Sequence, residues 1–142
     1  MDQQLIGLAK QVALEHALDP ALVCGIVEQE SDWNPWAIRY EPAFYQRYVM
    51  PISHLTATEA YSRAFSWGLM QVMGECAREN GYTGNMTQLC NPQTGLEQGC
   101  VHFARKLKSA DGDVTKALQL WNGGGNPDYS GQVLARTARY HQ

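Results

Sequence analysis

The chain has 142 residues, of which 44% are hydrophobic and 18% charged, and its formal net charge at pH 7 is −3. This composition excludes an intrinsically disordered chain. The small negative charge gives no long-range attraction to nucleic acid, so we expect no nucleic-acid partner. A chain of this length is expected to form a single domain, residues 1–142, that buries roughly two-thirds of the unfolded chain's surface.

The start of the chain carries no recognisable targeting segment. Met1-Asp2-Gln3-Gln4 lacks a positively charged region, and no apolar run is long enough for a signal peptide core or a membrane span. We therefore expect a chain that is made in the cytoplasm, without a signal peptide and without membrane insertion. If it acts beyond the membrane, another device must deliver it.

Cysteine and histidine spacing gives no metal-binding pattern. None of the four cysteines forms a C-x-x-C pair, and no H-E-x-x-H sequence occurs. We expect no metal and no cofactor, and reduced thiols. The sequence leaves open whether Cys90 and Cys100 form a disulfide.

Apolar periodicity predicts two helices in the first quarter of the chain. The first covers residues 3–18. The second starts at Asp19, a good cap residue, because Pro20 suits the first helical position, and it ends at Asn34-Pro35. The two helices are expected to pack on each other.

Glu30 is the first candidate functional residue. It lies four residues after Ile26 and so shares the apolar face of the second helix, whereas Glu28 points away from that face. Burial raises the pKa of a carboxyl group, and a raised pKa suits a general acid that works near neutral pH. From this helix alone, an ion pair with an arginine or a loop cap remains the simpler interpretation.

Residues 37–64 form the least regular part of the chain. They are rich in aromatic residues and arginine, and two prolines interrupt them. Their poor alternation predicts loops, a short helix or a small hairpin rather than a full sheet. Thr56 is predicted to open a short helix that runs to Arg63, and Thr58 is a further candidate for its cap.

The second half of the chain is predicted to be mainly helical. A polar loop is expected at residues 82–92. The three glycines after Asn122 favour a tight turn, or a turn whose backbone comes close to a ligand. The last helix is expected to face Val133 and Leu134 inward. The four predicted helices are 69–80, 93–108, 114–121 and 128–140.

Three short motifs occur in a specific order along the chain. They are Glu30-Ser31-x-Trp33-Asn34-Pro35, then Gly68-Leu69-Met70-Gln71, and then Ala117 leading into Trp121-Asn122-x-Gly124. In this order they resemble the soluble lytic transglycosylase domain, which is the goose-lysozyme-like family of peptidoglycan-cleaving enzymes. The resemblance covers about residues 5–140. It implies an α+β fold, mostly α and lysozyme-like, with a small irregular or β segment beside a substrate cleft.

The resemblance also implies roles for particular residues. Glu30 matches the family's catalytic acid and base. Gln71, Met70 and Asn122 match residues of the sugar cleft, and Tyr129 matches a tyrosine that supports the catalytic glutamate. Ser66 is a further cleft candidate, in competition with Ser62, and Glu41 is a second carboxylate placed near the cleft.

The chain departs from the usual family pattern at two positions. Trp121 stands where the third motif usually has tyrosine, and Gly74 stands where proline is usual. The insertion at residues 37–63 is longer than in short members of the family. Substrate preference is therefore least defined in that segment.

The resemblance implies a peptidoglycan lytic transglycosylase that cleaves the β-1,4 bond between N-acetylmuramic acid and N-acetylglucosamine and forms 1,6-anhydro ends. The alternative is a goose-type lysozyme or chitinase that hydrolyses the glycan, with Glu41, or less favourably Asp32, as a second carboxylate. A glycan-binding domain without activity is a third reading, although it would normally have Glu30 substituted. The expected partner is the peptidoglycan glycan strand, and a monomer is expected. A domain without an export signal suits a bacteriophage lysis or virion protein, or part of a larger wall-piercing machine.

Overall fold

The computed structural model describes residues 2–141, and helices dominate this part of the chain. A π-helical turn covers Tyr45–Val49, and short 3₁₀ helices cover Met86–Cys90 and Ala138–Tyr140. The α-helices within the described residues are Gln3–Glu15 (α1), Pro20–Ser31 (α2), Pro42–Phe44 (α3), Ala57–Arg63 (α4), Gly74–Glu79 (α5), Pro92–Ser109 (α6), Val114–Asn122 (α7) and Tyr129–Thr137 (α8).

A small antiparallel sheet interrupts the helices. Its strands are Ile38–Tyr40 (β1), Phe65–Trp67 (β2) and Val72–Met73 (β3), and they lie in the order β1-β2-β3. Within the sheet, Arg39 pairs with Ser66, and Trp67 pairs with Val72. The predicted fold class, α+β and mostly α with a small β segment, is confirmed.

Side-chain caps explain where several helices begin. The carboxylate of Asp19 accepts the backbone N–H of Ala21 at 2.9 Å, and the hydroxyl of Thr56 accepts that of Glu59 at 3.2 Å. A cap of this kind contributes about 1 kcal/mol because it satisfies an N–H that has no partner within the helix. The starts predicted at Asp19 and Thr56 are therefore confirmed.

Helix α2 runs through the centre of the core, with residues 21–28 all buried. It packs against α1 and, most extensively, against α8. Gly25 permits this second contact, since a Cβ atom there would lie 2.2 Å from Thr137 Oγ1 and 3.0 Å from the Val133 carbonyl oxygen. The close approach brings the start of α8 to the C-terminal end of α2, where Glu30 lies.

Two predicted helix boundaries are wrong because the backbone enters the left-handed region. The helix predicted at residues 69–80 begins only at Gly74: Gly68 has φ +72°, Gln71 has φ +52°, and the next two residues pair with β2. Helix α2 ends at Ser31 rather than before Pro35, since Asp32 at φ +49° stops the helical path.

Three smaller differences concern helix ends and faces. Helix α1 ends at Glu15 instead of residue 18, and the expected polar loop contains the 3₁₀ turn Met86–Cys90. Leu134 is 41% exposed rather than inward-facing, whereas Val133 is fully buried. Within residues 2–141, no helix combines the length and apolar character needed to cross a bilayer.

Glu28 is buried, with 5% of its surface exposed, although it lies off the apolar face of α2. It points away from the face that carries Ile26, but the C-terminal segment covers it. Its carboxylate accepts hydrogen bonds from Arg136 Nη1 at 2.6 Å, Arg139 Nη1 at 3.1 Å and the Tyr140 hydroxyl at 2.6 Å. The buried carboxylate is thereby compensated, and it ties the end of the chain to α2.

Candidate active site

A cleft of about 910 Å³ lies beside the sheet. All three strands contribute to its lining, as do α5, α6 and α7 and the aromatic segment after β1. Glu30, in the last turn of α2, reaches this cleft. Concave sites of this size are where ligands most often bind.

One oxygen of Glu30 is held by two donors. Glu30 Oε2 accepts a hydrogen bond from the Tyr129 hydroxyl at 2.5 Å and another from Trp121 Nε1 at 3.2 Å. Tyr129 is the first residue of α8, and Trp121 lies in the last turn of α7. Helices α7 and α8, which are both far from α2 in the sequence, therefore hold the Glu30 carboxyl group in one orientation.

The other oxygen of Glu30 faces the cleft. No group within residues 2–141 donates a hydrogen bond to Oε1, and no side-chain oxygen in this part of the chain is both fully buried and without a partner. Oε1 is therefore open to the cleft. Because Oε2 already accepts two hydrogen bonds, the proton of the neutral acid resides on Oε1, where it is available to a ligand.

The electrostatic environment of Glu30 favours this neutral acid. Burial raises the pKa of Glu30 above its ordinary value, and the hydrogen bonds from Tyr129 and Trp121 offset only part of that rise. Burial and Glu30 itself raise the pKa of Tyr129 far above its ordinary range, so Tyr129 remains a neutral hydrogen-bond donor. The arrangement suits a carboxylic acid that gives up and recovers a proton.

Aromatic packing holds Trp121 in place. The centroid of its ring lies 5.7 Å from the ring centroid of Phe103 and 5.5 Å from that of His102, and both residues are on α6. The pKa of His102 is lowered to about 4, first by burial and then by the charges of Lys106 and Arg105, so the ring is neutral at neutral pH. Its Nδ1 lies 3.0 Å from the side-chain amide nitrogen of Asn80. The third sequence motif contains Trp121 but gives no sign of its hydrogen bond to Glu30.

Gln71 and Ser66 lie together on the cleft. The Ser66 hydroxyl donates to Gln71 Oε1 at 2.9 Å, and Gln71 Nε2 donates to the carbonyl oxygens of Ala37 and Gly68, both at 2.9 Å. These bonds hold Gln71 in its left-handed conformation. Of the two serines that competed for this position, Ser66 lines the cleft, whereas the Ser62 hydroxyl donates to the Glu59 carbonyl oxygen.

Asn122 lines the cleft at the end of α7, where the glycine turn begins. With its amide oriented to match its neighbours, its side-chain oxygen accepts from the backbone N–H of Asn126 at 2.9 Å and of Gly125 at 3.2 Å. Gly123 at φ +80° and Gly124 at φ +87° provide the left-handed turn that these bonds require. Asn122 lines the cleft and also shapes the loop beside it.

Met70 is not in the cleft, contrary to the expectation. It is fully buried, and it packs on Gly99 of α6 so closely that a Cβ atom there would lie 2.3 Å from Met70 Sδ. A side chain in this position cannot contact a ligand. It packs the Gly68–Gln71 turn against α6.

The two candidate second carboxylates differ in position. Glu41 lines the cleft and forms an ion pair with Arg39, with 3.1 Å between Nε and Oε1. Asp32 is exposed at the end of α2 and is not among the cleft residues.

Two residues of α6, His102 and Lys106, line the cleft, and neither was predicted from the sequence to do so. They are four residues apart and so share one face of the helix. This spacing was the one available signal, and it is common to most surface helices. Only the packing of α6 beside the sheet places this face of the helix on the cleft.

A mostly α fold with a small sheet, an open cleft and a carboxylic acid held at the cleft by a tyrosine and a tryptophan define a domain of the lysozyme-like class. The family model of the transglycosylase SLT domain matches residues 7–138. The chain belongs to this family of enzymes.

Curated relatives agree with this assignment. The chain is 21% identical to the membrane-bound lytic murein transglycosylase C of Cronobacter sakazakii, over 84% of this chain and 31% of that protein. It is 26% identical to the protein of the same name from Actinobacillus pleuropneumoniae serotype 5b, over 72% of this chain and 24% of that protein. The chain thus spans between about a quarter and a third of the length of these relatives. No solved structure gives a significant match to the chain.

Proposed function

We propose that this domain is a peptidoglycan lytic transglycosylase. It would cleave the β-1,4 bond between N-acetylmuramic acid and N-acetylglucosamine and leave 1,6-anhydromuramic ends. The observation that carries the proposal is the asymmetric environment of Glu30, with two donors on Oε2 and an open Oε1. Family membership and the lytic murein transglycosylase names of the relatives support it.

In the first step Glu30 acts as the acid. The proton on Oε1 passes to the glycosidic oxygen as the bond to C1 of muramic acid breaks, and N-acetylglucosamine leaves with a free 4-hydroxyl. The acetamido oxygen of the muramic acid stabilises the positive charge at C1. The hydrogen bonds from Tyr129 and Trp121 stabilise the carboxylate that forms, because both donate to Oε2.

In the second step the same residue acts as the base. The Glu30 carboxylate takes the proton of the muramic acid 6-hydroxyl, and that oxygen bonds to C1 to close the 1,6-anhydro ring. The acid is regenerated and no water is consumed. A single residue performs both steps best when its pKa lies near the working pH, which agrees with the raised pKa of Glu30.

This mechanism needs no second carboxylate. Hydrolysis with inversion would require a general base that activates water on the opposite face of the sugar, with the two carboxyl groups held farther apart than in retaining enzymes. Glu41 is the carboxylate available for that role, but one of its oxygens is engaged in an ion pair with Arg39. The transglycosylase mechanism needs only Glu30 and its two donors, whereas the hydrolase mechanism also needs Glu41 as a base. We therefore favour the transglycosylase mechanism.

The proposal extends to the role of Gln71, Ser66 and Asn122. All three line the cleft, and their hydrogen bonds to neighbouring groups hold them in fixed positions. We assign them to glycan binding rather than to the chemical steps. We also propose that residues 1–142 act as one domain, as a monomer, on the bacterial cell wall.

Mass spectrometry of the soluble products from purified peptidoglycan tests the proposal. The expected muropeptides are one water lighter than hydrolysis products, and no new reducing ends form. Reducing muramic ends would replace the proposal by hydrolysis and direct attention to Glu41. A folded protein that releases no product from peptidoglycan would contradict both enzymatic mechanisms on this substrate.

A further inference from the structure

Two cationic side chains line the cleft, Arg39 on β1 and Lys106 on α6, and they differ in their partners. Arg39 forms an ion pair with Glu41. Lys106 forms no ion pair with any carboxylate in residues 2–141. The cleft therefore contains a positive charge that is not compensated by the described part of the chain.

The surroundings of Lys106 keep this charge from being neutralised locally. The side chain is partly buried, and its neighbours in the cleft are His102, one turn earlier on α6, and Cys76 on α5. His102 is neutral because its pKa is lowered to about 4, and burial raises the pKa of Cys76 to about 11, so neither carries a charge at neutral pH. Two carboxylates, Glu79 and Glu75, also lie near Cys76, but neither forms an ion pair with Lys106, and Glu75 is paired with Arg63.

The position of Lys106 relative to Glu30 can be followed through three side chains. Trp121 donates to Glu30, the His102 ring packs on Trp121 at 5.5 Å, and Lys106 lies one helical turn beyond His102. The cation is thus separated from the acid by two rings along one wall of the cleft. A glycan whose scissile bond lies at Glu30 would place a neighbouring part of the substrate beside Lys106.

We propose that Lys106 binds a carboxylate carried by the muramic acid residues of the substrate, and that this contact selects peptidoglycan over a neutral glycan such as chitin. The proposal rests on the proposed function, since it concerns the same cleft. Muramic acid differs from N-acetylglucosamine by its lactyl group, which either bears a peptide stem with several carboxylates or ends in a free carboxylate. An ammonium group without an ion-pair partner, on a partly buried side chain, favours such a ligand, because charge-assisted hydrogen bonds are stronger than neutral ones.

The test compares three soluble glycans bound to the inactive Glu30→Gln protein. The first carries peptide stems, the second has had its stems removed by an amidase and retains lactyl carboxylates, and the third is a chitin oligosaccharide. Lys106→Gln in this background is expected to weaken binding of one or both muramic glycans about tenfold. Binding of the chitin oligosaccharide is expected to stay unchanged.

Matched variants separate this role from a structural one. Lys108→Gln makes the same change in the same helical turn, but at an exposed residue outside the cleft, and it should leave all three affinities unchanged. Lys106→Arg preserves the charge and should retain the preference for muramic glycans. Weakening of the stem-bearing glycan alone would identify the stem carboxylates as the ligand, and equal weakening of both muramic glycans would identify the lactyl position.

Unchanged binding of both muramic glycans by Lys106→Gln would overturn the inference, as would an equal loss for chitin. Failure of the proposed function has a different signature. In that case the unsubstituted protein would release no anhydromuropeptides from peptidoglycan, whatever the effect of Lys106→Gln on binding.

Discussion

Glu28 and Glu30 are two residues apart on α2, yet their carboxyl groups lie in opposite electrostatic environments. Burial by itself would raise the pKa of Glu28, but hydrogen bonds from Tyr140 and Arg136 and the charge of Arg139 lower it overall. Around Glu30 burial prevails, and the pKa is raised. The nearest donors of Glu30 are neutral, whereas those of Glu28 include two arginines. The ionised Glu28 therefore stabilises the fold, whereas the environment of Glu30 favours its protonated form.

Glu30→Gln is expected to lower cleavage of peptidoglycan by about a thousandfold, because general acid–base catalysis by one group typically contributes between about 10² and 10⁴. The amide still accepts hydrogen bonds from Tyr129 and Trp121 but carries no transferable proton. Because the pKa of Glu30 is higher in the folded chain than in the unfolded chain, ionising Glu30 costs stability at any pH above the unfolded-state pKa. The substitution removes this cost, so the melting temperature at pH 7 should stay the same or rise. Activity near that of the unsubstituted protein would refute the assignment of Glu30.

Glu41→Gln is expected to leave the rate within about threefold and the anhydro products unchanged, since the proposed mechanism gives Glu41 no chemical step. The substitution removes only an ion pair whose arginine is largely exposed, and such pairs contribute at most about 1 kcal/mol. The measurement is analysis of the products released by Glu41→Gln, with Glu30→Gln assayed in parallel for comparison. Loss of all activity in Glu41→Gln would instead favour a two-carboxylate hydrolase.

Trp121→Phe is expected to reduce kcat/KM about tenfold, because it removes one of the two hydrogen bonds that hold Glu30 Oε2. That bond lowers the pKa of Glu30, so its loss should move the alkaline limb of the pH profile to higher pH. Tyr129→Phe should act in the same direction.

Trp67→Phe is a matched control for this experiment. Its indole also donates a hydrogen bond, but to the Ser62 carbonyl oxygen, and it does not line the cleft. It should lower stability without moving the pH profile. An identical profile for Trp121→Phe and the unsubstituted protein would show that the Trp121 bond does not tune Glu30.

Gly25→Ala is expected to reduce both stability and activity. The added methyl group would meet Thr137 Oγ1 and the Val133 carbonyl oxygen, so α8 must move away from α2. Overpacking of this kind costs about 1–3 kcal/mol, and the movement would lengthen the contact between Tyr129 and Glu30. Gly7→Ala on α1, where a Cβ atom meets nothing within 4 Å, is the control. Denaturant unfolding and kcat measured on both variants decide the matter.

The ion pairs of Glu28 predict how stability depends on pH. Because its pKa is lower in the folded state than its ordinary value of 4.5, its contribution is fully present above pH 4.5 and is lost as the pH falls through the folded value. Glu59, whose pKa is lowered to about 2 by hydrogen bonds from Arg78 and Arg63 against the effect of burial, should add to this loss between pH 4.5 and about 2. Unfolding experiments across this range provide the measurement.

Glu28→Gln should cost about 2 kcal/mol at pH 7, below the 3–5 kcal/mol typical of a broken buried pair, since both arginines are more than a third exposed. The difference from the unsubstituted protein should shrink as the pH falls below 4.5. A difference that stays constant down to pH 2 would contradict the assigned pKa shift.

Local signals in the sequence determined most of the helices. The caps at Asp19 and Thr56 and the apolar periodicity of α2 and α6 are properties of neighbouring residues, and the structure keeps them. The periodicity also put Glu30 on the apolar side of its helix. The ordered motifs gave the fold class, because short-range patterns of this kind occur together in one family.

The sequence alone did not determine the partners of these residues. The hydrogen bonds to Glu30 come from Trp121 and Tyr129, 91 and 99 positions away, and those to Glu28 come from residues more than 100 positions away. Met70 is a core residue because Gly99 of α6 leaves room for it, a fact invisible in the motif that contains it. A carboxylate's protonation and a side chain's exposure are set by what packs on them, and only the folded chain brings those groups together.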